Sequence, residues 1–482
     1  MSLTHAINAA RSGLQTTSLR ADITAMNVAN ASTPGYVRRS VVMAETLVGG
    51  TTAGSHIGGI TRSADSALTN QRMSLSSDLA QASVMSSTWQ ALSSRLGDST
   101  DGVGLFSLLS DFESALSTAA TTPESPANAS AVIDAAKAIA REFNDLSRYV
   151  QNQRAEADLE IANGVQTVND AINKVHALNV KLGSVDRTSS EAAALMDERQ
   201  RAIDSIAEYL PVEAVDRPNG AVDLVTREGV YLIVGTPRQI EFTPSNAFGP
   251  NQTLAGGHLS GISVDGVDLT PGSATYSAVS SGLLSALFTL RDTDLPKVSN
   301  QLDTVANDLV TRLSDDSIDP TKTPGEFGLF VDPNPAAGAG IAGRIRVNAL
   351  VDPTQGGELS RLRDGLEAAT PGPTGNNAIL SALYDAVTAT NAINSNGLQG
   401  MFSVADLAAN LSSQTGQMRV SKETILTSTS AQHSIMLDAE LSKTGVDIDE
   451  QMQQLLLIEQ AYSANARVIE VANLMLQRLM EI

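Results

Sequence analysis

Few residues of this 482-residue chain are spaced as chemistry requires. Gly338-Ala339-Gly340-Ile341-Ala342-Gly343 has the G-x-G-x-x-G spacing that, between a strand and a helix, brings backbone N–H groups to a pyrophosphate. Here Pro333 and Pro335 precede it in place of a strand, and Arg344-Ile345-Arg346-Val347 follows with the pattern of a strand in place of a helix, so a flexible turn is expected. Asp315, Asp316 and Asp319 supply the oxygens that a hard cation prefers, but without the spacing of a calcium loop, and read as a solvated turn. Asp447, Asp449 and Glu450 stand just before an apolar periodic run, where carboxylates cap a helix and oppose its dipole. His5, His56, His176, His258 and His433 never fall four apart, so H-E-x-x-H is absent, and His176 is expected on a helix surface. Cysteine is missing, which removes disulfides, thiol catalysis and thiolate metal sites, and no G-x-S-x-G supplies a serine nucleophile. The expectation is a chain with no catalytic, cofactor-binding or metal-binding residues.

Composition narrows the class further. A net charge of −21 leaves no concentrated basic surface for phosphates, so nucleic acid is not an expected partner. The chain is 42% hydrophobic and 18% charged, which is globular, but only 4% aromatic, which suits long helices packed through Ala, Ser, Thr and Leu. Its length allows about three domains at roughly 150 residues each. Met1-Ser2-Leu3-Thr4-His5-Ala6-Ile7-Asn8 has no basic segment leading into an apolar run, so a cleaved secretory signal is not expected. No stretch of about 18 apolar residues could span a bilayer. The reading is a soluble protein without membrane insertion, cytoplasmic or exported without a cleaved signal.

The periodicities predict mainly helix with β insertions. A helix over 2–30 gives way to an extended segment from Tyr36 to Leu47 and a flexible, hairpin-like stretch from Gly49-Gly50 to Gly58-Gly59. Thr33 is pushed to extended geometry by Pro34, and Pro34-Gly35 suits the centre of a type II turn. Helices follow over 63–96, broken at Gly97–Gly102, then over 106–119. A long one from about Ala129 to Leu182 carries the stripe Val132, Ala136, Ile139, Phe143, Leu146, Val150, Ala157, Ile161, Val165, Val168, Ile172, Val175, Leu178 and Leu182. At 1.5 Å per residue it reaches roughly 80 Å and implies a rod-like body. After a helix over 191–210, valine-rich runs over 212–240 and 259–269 read as hairpins. Helices return over 282–291 and 295–314, residues 315–375 read as an irregular, partly stranded lobe, and 376–395 and 403–441 read as helical. The expected division is 1–40 and 442–482 as two halves of one terminal-helix domain, 41–210 as a helical rod, 211–280 as a β-rich insert, 281–314 and 376–441 as helical returns, and 315–375 as the lobe.

Both ends carry apolar seams that need a partner. At the N-terminus Ile7, Leu14, Ala21 and Val28 share one heptad position and Leu3, Ala10, Thr17, Thr24 and Ala31 the other, with Leu19, Ile23 and Met26 widening the stripe. At the C-terminus Leu455, Ile458, Tyr462, Asn465, Ile469, Ala472, Leu476 and Leu479 alternate three and four apart, with Asn465 as the register-fixing amide. A helix as weakly apolar as the first is expected to fray alone and order against a partner.

Ser12-Gly13-Leu14, then Asn27-Val28-Ala29-Asn30-Ala31-Ser32-Thr33-Pro34-Gly35-Tyr36, resembles the N-terminal signature of the bacterial flagellar rod, hook and hook-associated axial proteins. Gly445-Val446-Asp447-Ile448-Asp449-Glu450 and Glu459-Gln460-Ala461-Tyr462-Ser463-Ala464-Asn465-Ala466-Arg467-Val468-Ile469 resemble its C-terminal half. Within that superfamily, Tyr36-Val37-Arg38-Arg39, Ala194-Leu195-Met196-Asp197-Glu198-Arg199 and Ser281-Gly282-Leu283-Leu284-Ser285-Ala286-Leu287 are most similar to the branch that joins hook to filament. The resemblance implies an elongated multi-domain structural protein without catalysis or cofactor, its terminal helices pairing as a coiled coil. It implies export by the flagellar apparatus without a cleaved signal and an extracellular place at the hook–filament junction. The implied partners are further copies in a ring, hook protein, hook-associated protein 3, and an export chaperone on the C-terminal helix. The implied assembly residues are Ser12, Gly13, Leu14, Asn27, Ala29, Asn30, Ser32, Thr33, Pro34, Gly35 and Tyr36, with the C-terminal seam from Leu455 to Leu479. The alternatives are another axial protein, hook protein or hook-associated protein 3 itself, and an exported enzyme with its chemistry in 212–375.

Overall fold

A computed structural model describes residues 3–48, 51–97 and 102–480. The chain opens with α1 (Leu3–Ala29) and a hairpin of β1 (Arg39–Val48) and β2 (Thr51–Arg62). Four helices follow: α2 (Ser66–Leu96), α3 (Leu105–Thr121), α4 (Pro126–Ser184) and α5 (Ser190–Tyr209). An antiparallel sheet in chain order joins β3 (Val212–Asp216), β4 (Val222–Thr226), β5 (Tyr231–Val234) and β6 (Thr236–Pro237), and a smaller one joins β7 (Ile240–Glu241), β8 (Ser263–Val264) and β9 (Val267–Asp268). Next, α6 (Leu283–Thr289) continues into α7 (Leu295–Leu313) through a π-helical segment, Leu290–Asp294. The lobe beyond holds β10 (Phe330–Val331), its partner β11 (Arg346–Val347), several 3-10 turns and the short α8 (Arg361–Asp364). After α9 (Ala378–Thr388) comes a hairpin of β12 (Asn391–Ser395) and β13 (Leu398–Phe402), and α10 (Val404–Thr444) and α11 (Ile448–Met480) close the chain.

The 59-residue α4 organises the body. Ser125 accepts the N–H of Asn128 and Pro126 takes the first helical position, where its missing donor costs nothing. Every residue of the expected α4 stripe is buried. The half from Val132 to Val150 packs with α2, α3, α7 and α9 around Phe112, Phe143 and Phe330. The half from Ala157 to Val175 packs with α5, α6 and the sheets around Ile203, Leu224 and Phe288. Between the two apolar clusters lies a buried polar belt. Arg154 donates to the carbonyls of Arg291, Gly249 and Gln252 at 2.9, 3.0 and 2.6 Å. Asp158 pairs with Arg291 at 2.5 Å, and Arg291, on the π-helical segment, also reaches Asp292.

Some expectations change. The helix over 376–395 stops at Thr388, and 391–402 is a hairpin whose turn residues Asn396 and Gly397 lie at φ +52° and +83°. That Asn-Gly pair with both φ positive is a type I′ turn, whose twist matches the strands it joins. The hairpin-like stretch expected near 49–59 is the antiparallel pairing of β1 with β2, and it extends to Arg39 and Arg62. Gly49, Gly50 and positions 98–101 of the expected break lie outside the described residues. The G-x-G-x-x-G segment lies on irregular turns, and the N–H groups of Gly340 and Ala342 donate to the carboxylate of Asp303 at 2.6 and 2.9 Å. The donors a phosphate would use are therefore taken by an internal anion. Asp316 pairs with Lys322, whereas Asp319 is buried, accepting the N–H of Leu366 at 2.7 Å, because it ties the start of the lobe to the segment after α8. Among the described residues no three acidic or histidine side chains gather as a metal site. His176 is half-buried on α4.

Candidate assembly site at the joined termini

The two chain ends lie side by side. Asn27 on α1 bonds Gln451 on α11, and Gly13 on α1 faces Asn465 on α11. The two contacts are equally spaced along both helices, so the pair is antiparallel in constant register. At Gly13 an added Cβ would stand 2.7 Å from Asn465 Nδ2, so glycine permits the approach. On the other side of α1, Gly54 of β2 lies against Ser12, whose hydroxyl donates to Ala9 O. The Ser12-Gly13-Leu14 segment is thus wedged between hairpin and C-terminal helix, with Leu14 half-buried.

The buried line on α1 is not its most apolar one. Ala10, Thr16, Thr17, Ile23, Thr24 and Asn27 are buried, while Ile7, Leu14, Ala21 and Val28 are half-buried and Met26 is exposed. Threonine serves here because its hydroxyl bonds its own helix: Thr16 donates to Ser12 O and Thr17 to Gly13 O at 2.9 and 2.8 Å. On α11 Ile458 and Ala472 are buried, Leu455, Asn465 and Ile469 half-buried, and Tyr462, Leu476 and Leu479 exposed.

Beyond α1 the chain turns as its residues dictate. The N–H of Tyr36 donates to Thr33 O at 3.1 Å across Pro34-Gly35, with Gly35 at φ +73°, the geometry of a type II turn. Ser32, Thr33, Pro34 and Gly35 are exposed, as is Ala29, and Asn30 donates to Met26 O. The turn lines a cleft of about 340 Å³ shared with Arg72, Glu440 and Thr444 at the foot of α10. It also aims the Tyr36 hydroxyl at Asn27 Oδ1, 2.8 Å away, and burial pushes the phenol pKa up, keeping it a donor. Asp447 Oδ1 accepts the N–H groups of Asp449 and Glu450 and caps α11, while Glu450 reaches Arg38 at 2.8 Å. Arg72 bridges Glu440 and Asp204, and Lys443 meets Asp65 at 3.1 Å, holding the end of α10 on α2 and α5.

The central motif on α5 anchors this module to the body. Asp197 takes Arg39 and Arg62, one from each strand of the hairpin, at 2.9 and 2.6 Å. Arg199 donates to Asn179 Oδ1 and Gly220 O, and burial lowers its pKa to about 10. Arg39 closes the Tyr36–Arg39 motif, whereas Gln451 belongs to no motif. The C-terminal seam extended one step back from Leu455 lands on Gln451, and that polar break was the available signal.

Three flagellar family models match this architecture. Residues 7–36 match the flagella basal body rod protein model, 439–482 the flagellar basal body rod FlgEFG protein C-terminal model, and 89–317 the flagellar hook-associated protein FlgK helical domain. Flagellar hook-associated protein 1 of Escherichia coli K12 is 25% identical over 62% of this chain and 54% of its own length. The protein of the same name from Bacillus subtilis 168 is 23% identical over 98% of this chain and 97% of its own length. Over its two ends and its helical body the chain is similar to flagellar hook-associated protein 1. It spans about half the length of the E. coli and Salmonella typhimurium relatives. The flagellar hook junction protein FlgK from Burkholderia pseudomallei aligns structurally with a TM-score of 0.44 at 19% identity, covering 54% of this chain and 46% of that one. The rod-type matches fall on the two helices that pair here, and the helical-domain match on the body from Trp89 through α7.

Proposed function

We propose that this protein is a structural, non-enzymatic subunit of the bacterial flagellum, placed at the junction of hook and filament and required for filament assembly. The observation that carries this reading is the surface of α11. One side rests on α1, and a second line, Leu457, Val468, Val471 and Met475, faces outward at 45–62% exposure. A contiguous apolar line of this kind calls for another surface. In a ring of copies that surface is the terminal pair of a neighbour. Before assembly an export chaperone on α11 would shield it, and the flagellar export apparatus would carry the chain out. Hook protein and hook-associated protein 3 are the partners on either side.

In this reading Ser12–Leu14, Asn27–Tyr36 and the α11 seam form the docking module, loose in the free subunit and ordered on assembly. Cells lacking the gene are expected to keep hooks, lose filaments and release flagellin into the medium. Normal filaments on such cells would sink the idea. Hydrogen exchange on the purified chain tests the second part: fast exchange confined to about the first and last 40 residues is expected, and full protection there contradicts it.

A further inference from the structure

Arg39 is held at its backbone by one part of the molecule and at its side chain by another. Its N–H donates to Asn27 Oδ1 at 3.1 Å, and its carbonyl accepts from Asn27 Nδ2 at 2.9 Å. Its guanidinium reaches Asp197 on α5 at 2.9 Å and lies 4.8 Å from the Tyr36 ring centroid. Asn27 spends its remaining capacity on Gln451 Oε1, to which Nδ2 donates at 2.8 Å, and on the Tyr36 hydroxyl. A side-chain amide has two donors and two acceptor sites, and all four are used here at 1% exposure. Withdrawing α11 removes one of the two acceptors that orient the Asn27 amide, together with the cover over it, which weakens the grip on Arg39. Asp197 lies at the far end of the same chain of contacts. Its side chain is 3% exposed and takes one strand of the hairpin on each oxygen.

We propose that Gln451, Asn27, Arg39, Asp197 and Arg62 form a relay through which docking of α11 on α1 sets the seating of the β1–β2 hairpin on α5. The terminal pair and the body then take one fixed relation only when both chain ends are in place. The proposal deepens the assembly reading above and rests on it. The alternative is a set of independent contacts, each stabilising only its own neighbours. The two differ at a distance: only the relay makes β2 respond to Gln451, whose side chain bonds Asn27 on α1.

The absence of cysteine makes the test clean. Gly13→Cys with Asn465→Cys puts one thiol pair across α1 and α11, in place of the amide that Gly13 now accommodates. Exchange is read by mass spectrometry on the full chain, reduced and oxidised, with an α4 peptide as the folding control. Residues 57–62 report the seating, since Ile60 N–H donates to Thr188 O, just before α5, at 2.7 Å. Closing the bond is expected to slow exchange there about tenfold, the scale of one buried hydrogen bond. In chains that also carry Gln451→Leu or Asp197→Asn, closure should protect α1 and α11 but leave 57–62 unchanged. Helices that gain protection in the oxidised parent while 57–62 does not would overturn the relay and leave the assembly reading standing. If both ends are already protected in the reduced chain, assembly-coupled ordering fails. The relay then requires that Gln451→Leu alone speed exchange at 57–62 about tenfold, and an unchanged rate overturns it.

Discussion

Replacing Asp158 with leucine tests how the two apolar clusters are joined. Its side chain is 2% exposed and pairs with Arg291, which is 0% exposed, and it accepts the N–H of Ser245 at 2.8 Å. Breaking a buried pair by removing one partner costs about 3–5 kcal/mol, because the surviving charge stays buried. The lower end applies here, since Arg291 keeps Asp292 at 2.8 Å and the carbonyl of Ser260 at 2.9 Å. A loss of about 3 kcal/mol at a urea slope of about 3 kcal/mol per molar moves the midpoint down by about 1 M. The chain supplies its own probe. Trp89 is its single tryptophan, is buried, and donates to Asp294 in the π-helical segment that carries Arg291. A urea titration followed by Trp89 fluorescence therefore reads unfolding beside the altered pair. Asp158→Leu with Arg291→Met removes both charges and should recover at least half of the loss, the remainder reflecting Asp292 left without its guanidinium. A single-variant shift below about 0.3 M, or roughly 1 kcal/mol on the same slope, would refute the reasoning, because it would mean that Asp292 alone satisfies the cation.

Gly13→Val should abolish filament assembly in a complemented deletion strain, and Asn465→Ala in the same chain should restore it in part, since the contact is between those two side-chain positions; swimming halos and filament counts check both. Gly397→Val should cost about 1–2 kcal/mol in a thermal melt, through its φ of +83° rather than through crowding, because the nearest atom to an added Cβ is 3.6 Å away. In the lobe, burial acts to raise Asp352, but hydrogen bonds from Lys137, Gln355 and Thr354 outweigh it and hold the carboxyl well below the ordinary range. Asp332, beside Arg344, and Asp364, beside Arg363, are also depressed. Depressed carboxylates contribute stability that is present above their unfolded value of 3.8 and lost as pH falls through the folded values. Lys137→Met should therefore raise the acid-unfolding midpoint, as followed by circular dichroism, and leave stability below both values of Asp352 unaffected by that pair.

The parts of the fold that were legible in sequence are those where one periodicity answers to one partner surface. The α4 stripe is of this kind, because both clusters lie along the same side of the helix. The Thr33–Tyr36 turn is another, since Pro34 and Gly35 specify its dihedrals locally. The α1 seam was harder, because α1 has two partners. Packed between α11 and the hairpin, it buries the small line through Ala10, Thr17 and Thr24 and leaves the Ile7–Leu14 line at the rim. The β12 strand falls inside the helix expected over 376–395 because Asn391-Ala392-Ile393-Asn394-Ser395 has almost no strand character. The strands of its hairpin are mostly exposed, and it is the Asn396-Gly397 turn that selects the pairing. Of the relay residues, Asn27, Arg39 and Asp197 stand in the motifs, but Gln451 and Arg62 are ordinary surface types until their partners, distant in sequence, are known.

The way this chain closes its strand edges bears on how it assembles. Asn169 on α4 takes both backbone groups of Ile240, at 2.9 and 2.8 Å, and Asn179 takes both of Val222, at 2.8 and 3.1 Å. Asn70 on α2 does the same, more loosely, for Ala214 on β3, and Asn27 for Arg39 on β1. For Ile240 on β7, Ala214 on β3 and Arg39 on β1 a helix side chain supplies the donor and acceptor that a further strand would otherwise bring, and for Val222 it fills the end of the interior strand β4, beyond the residues paired with β5. A sheet this small cannot hide its edges by closing, and an open edge recruits other chains without regard to register. Under the proposed function, a subunit that adds at one place has reason to remove that option. With these positions filled from within, side-chain spacing on the outward line of α11, unlike a bare strand edge, can specify a partner and a register.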